Sequence, residues 1–217
     1  DPVAHFPGHR AHFQNYLAVA RHPVLLKWAA LFHDLGKPET QGTREDGRTT
    51  FYNHDRAGAK IFTVIAHRLR WSREHLQTVA RLIELHMYPF HLSNASQNTG
   101  ITPRACLRLV KAAGDDLPGL FLLAIADSLA SQGPLRPPAM EENLAELYDR
   151  VDKVYRESIQ PVLSGPPLLN GNDLKEMGLE PGPIFGQIMD GIEQARVAGE
   201  IADREEAMVW VKDVLAA

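Results

Sequence analysis

The sequence predicts an all-α protein, a helical bundle followed by a small helical C-terminal appendage. Two observations carry this. Apolar residues recur at helical spacing between Pro, Gly and capping residues that mark helix starts and stops. No run alternates strictly between apolar and polar side chains, as a half-buried strand would.

Residues 23–35 (PVLLKWAALFHDL) open with Pro23 near a first turn and stop at Gly36 and Pro38. Residues 39–52 read as a polar excursion with a turn at Asp46-Gly47. Asn53 suits the N-cap of a helix reaching about Leu69. Further helices are predicted over 73–88, from Pro103 to about Ala113, and over 118–131. GPLRPP at 133–138 breaks the pattern before a long helix over 139–160. Residues 161–182, rich in Pro and Gly, form a connector with a short helical turn ended by Gly178. Pro183 starts a helix that stacks Ile184, Ile188 and Ile192 and ends at Gly199. Asp203 and Glu206 have capping-box spacing for a last helix. The expected organisation is a domain over 1–160 and a tail region over 161–217.

The chain has 217 residues, 44% hydrophobic and 23% charged, with a net charge of −4, an ordinary globular composition. A single cysteine, Cys106, excludes an internal disulfide and a cysteine-based zinc cluster. The start, DPVAHFPGHR, carries no apolar run of the signal-peptide kind, and the greasiest stretch, LPGLFLLAIA, is short and runs into Asp127. A soluble, cytoplasmic protein with no membrane partner is expected. Charge is uneven: residues 1–111 hold 15 Lys and Arg against 8 Asp and Glu, whereas residues 112–217 hold 8 against 19. All 10 histidines lie at or before His91. A basic, histidine-rich half suits metal and phosphate.

Several polar residues fall on apolar stripes. Leu26, Ala30, His33 and Asp34 share one helical face; Val79, Leu82, Ile83 and His86 share another; Leu120, Leu123, Ala124 and Asp127 share a third. A buried carboxylate needs a cation or strong donors. Inward carboxylates and imidazoles on three helices together point to a shared divalent metal, since carboxylate oxygen and neutral imidazole nitrogen are the ligands such ions take.

The run AALFHDLGKPET resembles the signature of the HD superfamily of metal-dependent phosphohydrolases, with the doublet at His33-Asp34. FYNHDRAGAKI resembles the family's second histidine motif, at His54; LIELHMYP resembles the next, at His86; AIADSLAS resembles the last aspartate motif, at Asp127. These runs, with the tail LLNGNDLKEMGLEPGPIFGQIMDGIEQARVAGEIADREEAMVWVK, closely resemble the C-terminal HD half of bacterial tRNA nucleotidyltransferases and poly(A) polymerases, over roughly residues 24–213.

The resemblance implies an HD-type helical domain and one or two divalent ions (Mg, Mn, Ni or similar) held by His33, Asp34, His54, His86 and Asp127. It implies Asp34 as the central catalytic ligand, with Lys37 meeting a phosphate oxygen. The implied activity is phosphodiester or phosphomonoester hydrolysis on RNA ends or nucleotides. Arg68, Arg70, Arg73 and Arg81, then Arg104 and Arg108 at helical spacing, are the expected contacts to an RNA backbone or nucleotide phosphate. The family's Gly-rich strand-helix motif and Asp-x-Asp pair are missing, so no nucleotide addition is expected from this chain alone. A fragment whose nucleotidyltransferase domain precedes residue 1 is the expected context. The family also places a further histidine before the doublet, for which His12 is the nearest candidate; some members carry two histidines together at the His86 motif, where His91 is the candidate for the second. A catalytically degenerate scaffold that positions tRNA or RNA is the alternative reading.

Overall fold

A computed structural model describes residues 1–131, 133 and 136–216, with side chains left out at 96–99. Helices dominate, in the order α1 (Arg10–Ala18), α2 (Arg21–Phe32), α3 (Lys37–Thr40), α4 (His54–Arg68), α5 (Arg73–Leu85), α6 (Tyr88–Thr99), α7 (Pro103–Ala113), α8 (Leu117–Ala130), α9 (Met140–Val154), α10 (Gln160–Ser164), α11 (Gly171–Glu176), α12 (Pro183–Val197) and α13 (Arg204–Ala216). The only strands among the described residues are β1 (Gly42–Thr43) and β2 (Thr49–Thr50), paired antiparallel with Gly42 opposite Thr50. They flank the Asp46-Gly47 turn, where Gly47 adopts a φ of 80° and Asp46 accepts from Arg48 N. The expected all-α class holds: this hairpin closes a loop and builds no layer. None of the described helices is long and apolar enough to cross a membrane.

The chain divides into two compact units, residues 1–99 with 111–149, and residues 100–110 with 150–217. In the first, α8 is the central rod. Residues Leu120 to Ile125 are all buried, which gives this helix an apolar surface all round. Helices α1, α2, α5 and α6 pack against it. Phe6, Phe13, Phe121 and Tyr148 form an aromatic box, with Phe6 stacked on Phe13 at 4.3 Å and Tyr148 at 4.8 Å from both Phe13 and Phe121.

A close crossing holds α1 on α8. A Cβ at Gly119 would fall 2.4 Å from Tyr16 Oη, and Tyr16 is itself buried and donates to Asp116 at 3.2 Å. Gly119→Ala must displace that ring, so a loss of about 1–3 kcal/mol is expected, read as a lower Tm by calorimetry. An unchanged Tm would show that the crossing has room for a methyl group.

In the second unit, Leu169, Leu174, Ile188, Ile192, Ile201 and Val211 form a separate core. Of the three stacked isoleucines, Ile184 stays 40% exposed while Ile188 and Ile192 are buried. Asp203 accepts from Glu206 N at 2.9 Å, as its capping-box spacing predicts, whereas Glu206 reaches back to Ala202 N at 2.6 Å.

Several element boundaries differ from the sequence reading. Helix α2 ends at Phe32, with His33 as its C-cap, so the His33-Asp34 doublet lies in a turn and not on a helical face. Helix α5 stops at Leu85, and α6 follows almost at once, a helix the sequence reading did not place. The long helix predicted to 160 changes at Tyr155 into a π-helical turn, Tyr155–Ile159, before α10. The break at 133–138 falls partly outside the described residues.

Candidate metal centre

One turn, one helix start and two helix ends bring the predicted ligands together. The turn after α2 crosses the start of α4 so closely that a Cβ on Gly36 would lie 2.1 Å from the His54 carbonyl oxygen and 2.5 Å from Gly58 N. Only two glycines facing each other allow that approach. His54 begins α4 directly after Asn53, which takes a left-handed φ of 61° that asparagine tolerates. Asn53 thus shapes the turn through its backbone, and its side chain makes no capping bond. His86 caps the end of α5 and is 1% exposed. Asp127 sits in the last turn of α8.

The imidazoles share one local device. His33 Nδ1 bonds the Ala30 carbonyl at 2.8 Å, His54 Nδ1 that of Phe51 at 2.8 Å, and His86 Nδ1 that of Ile83 at 2.7 Å. Each Nδ1–H donates three residues back, which fixes the ring and turns Nε2 inward, the arrangement typical of metal-ligating histidines. His54 Nε2 then faces His86 Nε2 at 3.1 Å and Asp34 Oδ1 at 3.4 Å. His33 Nε2 faces Asp34 Oδ2 and Asp127 Oδ1, both at 3.4 Å. Ligand atoms of Asp34, His54 and His86 all lie within 4.8 Å of one another.

This geometry fits a cation. With both Nδ1–H groups committed to carbonyls, His54 and His86 point lone pairs at each other across 3.1 Å. Giving His54 the opposite neutral tautomer moves the conflict to the Phe51 carbonyl. A positive charge between the rings resolves it. Electrostatics agree. Burial pushes His86 down to about 4, so it stays neutral, the form that binds metal. Hydrogen bonds to Asp127 and then Asp34 push His33 up to about 10 against its burial, so a proton can occupy the place between the two carboxylates. Burial works to raise Asp34, but His33 and Lys37 outweigh it and hold the carboxyl well below its usual range. Lys37 Nζ donates to Asp34 Oδ2 at 2.5 Å and lies 5.6 Å from the centre of the Phe51 ring.

The cluster opens into a cleft of about 1220 Å³ with Asp34, His54 and Asp127 among its lining and Phe51, Tyr52 and Phe90 along its walls. The sequence reading missed Phe51 and Tyr52. Tyr52 and Phe51 directly precede Asn53-His54, so proximity to the second histidine motif was the available signal.

The six predicted phosphate-contacting arginines are elsewhere, and none lines the cleft. Arg68, Arg70 and Arg73 are exposed around the junction of α4 and α5. Arg81 bonds the Ala113 carbonyl at 3.4 Å and Asp116 at 3.5 Å, and Arg104 pairs with Glu200 at 2.6 Å. Arg108 is exposed on α7. Of the upstream histidines, His9 pairs with Asp149 at 2.8 Å, His22 bonds the Tyr16 carbonyl at 2.8 Å, and His12 is exposed beside Phe13. His91 lines the cleft.

The chain is 33% identical over 191 residues to the A-adding tRNA nucleotidyltransferase of Deinococcus radiodurans, covering 87% of this chain and 41% of that protein. It is 31% identical over 191 residues to the CC-adding tRNA nucleotidyltransferase of Thermus thermophilus, covering 87% of this chain and 40% of that one. The chain therefore spans about two fifths of the length of these curated relatives. The HD domain model matches residues 11–132, a span that contains His33, Asp34, His54, His86 and Asp127, and the chain belongs to the HD domain family.

Proposed function

We propose that this chain is a metal-dependent phosphohydrolase acting on RNA ends or nucleotides, and that it works as the C-terminal part of a tRNA nucleotidyltransferase-like protein. The HD-type domain proposed for it is residues 1–160. The observation that carries the reading is the convergence of three carbonyl-anchored histidines on Asp34. In this reading His33, Asp34, His54, His86 and Asp127 hold the ion. A divalent ion supplies Lewis-acid polarisation of a phosphoester and acidifies water. The chain's own residues do the rest. Asp34 turns one oxygen toward His54 and the other toward His33 and Lys37, which makes it the central ligand. Lys37 brings a positive charge to the cleft lining, where a phosphate oxygen meets it. The cleft is several times the size of a phosphate group and leaves room for a nucleoside beside Phe51, Tyr52 and Phe90.

The test is hydrolysis of bis(p-nitrophenyl) phosphate and of a 2′,3′-cyclic nucleotide by chelated protein, then after return of Mg, Mn or Ni. Turnover should fall roughly 10²-fold or more on chelation and recover with one of the ions. Turnover indifferent to chelation would refute the reading. The second reading, a scaffold that positions RNA, is favoured by one observation: Arg68, Arg70 and Arg73 are exposed away from the cleft. RNA binding with no hydrolysis under any ion would select it.

A further inference from the structure

The N-terminal half of α2 lies beside the start of α5, and between them is a second groove of about 380 Å³. It is lined by Arg21, Val24, Leu25, Trp28, Trp71 and His75 and shares no residue with the metal-site cleft. Trp28 and Trp71 meet edge to face at 5.3 Å, and each is backed by a phenylalanine, Trp28 by Phe32 in a parallel stack at 5.6 Å and Trp71 by Phe62 at 5.4 Å. Both tryptophans are only half-buried despite this ring-on-ring support. Val24 on the groove and Leu69 just before Trp71 are more than half exposed, at 53% and 59%. Val24 thus leaves one apolar wall of the groove open to solvent.

Charge selects the occupant. Residues 2–33 and 56–73, which supply all of the groove but His75, hold eight Lys and Arg, and the stretches are bounded by Asp1, Asp34, Asp55 and Glu74. Arg70 and Arg73 flank Trp71 in the chain and are exposed. The carboxylate at the rim is Glu74, and Arg21 neutralises it at 2.8 Å. A polyanion with flat apolar faces satisfies both features at once, since aromatic platforms stack bases while cations track the phosphates.

We infer that this tryptophan groove is a docking site for single-stranded RNA, separate from the metal-site cleft. The inference rests on the reading of RNA as the partner and adds the surface that holds it. Trp28 and Trp71 offer the stacking faces, and Arg70 and Arg73 take the backbone. Binding here needs no metal.

The test titrates a fluorescein-labelled 12-nucleotide single-stranded RNA against the full chain in EDTA. The metal-site reading is thereby left to the hydrolysis assay, and the two can fail separately. Because Val24 is exposed, Val24→Glu places a carboxylate in the groove with little disturbance of the core. Circular dichroism checks its fold, and Arg70→Glu with Arg73→Glu is the second variant. In a Trp210→Phe background, Trp28 and Trp71 are the remaining tryptophans. Their fluorescence should be quenched on RNA addition. Val24→Glu should weaken binding at least ~10-fold, and the double reversal should lower the salt slope by about 2. No binding by the parent chain would overturn the inference. So would full affinity in Val24→Glu with unquenched tryptophans, the outcome expected if the groove takes a protein segment or if RNA contacts only exposed arginines.

Discussion

Asp34→Ala and Asp127→Ala should each lower affinity for a divalent transition ion at least ~100-fold while the helical signal in circular dichroism stays at the wild-type level. Asp34 contacts His33, His54 and Lys37, and Asp127 closes the far side of His33. Removing either carboxylate takes a ligand and an anionic counterweight from a cluster already carrying Lys37 and three imidazoles. The fold should survive. Both side chains are partly exposed, at 38% and 23%, and neither belongs to the apolar core around α8. Calorimetric titration with Mn or Ni measures the affinity directly. Wild-type affinity in both variants would remove these residues from the site.

Gly36→Ala should damage stability and the site together. The added methyl meets backbone on two sides, the His54 carbonyl and Gly58 N, and backbone cannot rotate away as a side-chain tip can. The α2–α3 turn and the start of α4 must separate, at a cost of about 3 kcal/mol, or roughly 6–12 °C in Tm for a chain of this size. The same separation pulls Asp34 away from His54, so metal affinity should fall although no ligand has changed. A variant with wild-type Tm and wild-type metal affinity would contradict the crossing. Loss of Tm alone would show that the ligands tolerate the shift.

The sequence carried the chemistry of the cluster better than its geometry. An apolar stripe made His86 legible as an inward polar residue, because α5 presents that face to the core, whereas α8 is buried all round and its stripe did not single out Asp127, which is 23% exposed at the cleft. The same logic misread the doublet. His33 and Asp34 were assigned to a helical face, yet α2 ends before them, and their direction comes from the Ala30 carbonyl and from the Gly36 crossing. Such backbone approaches leave only a glycine as their trace. The arginine rows show a similar limit. Position along the chain grouped Arg81 and Arg104 with the exposed Arg70 and Arg73, but Asp116 and Glu200, distant in sequence, engage the first two. Helix α6 and the cleft walls Phe51 and Tyr52 were not legible, since YPFHLSNASQNT has too few apolar residues to show a helical period.

Metal content tests the central claim most directly. The purified, tag-free chain, dialysed against trace divalent ions and then against buffer, is analysed by elemental mass spectrometry. The facing Nε2 atoms of His54 and His86, with Asp34 beside them, predict retention of one or two transition ions per chain. A folded protein that emerges free of metal would contradict the claim and leave the inward histidines balanced by a proton alone.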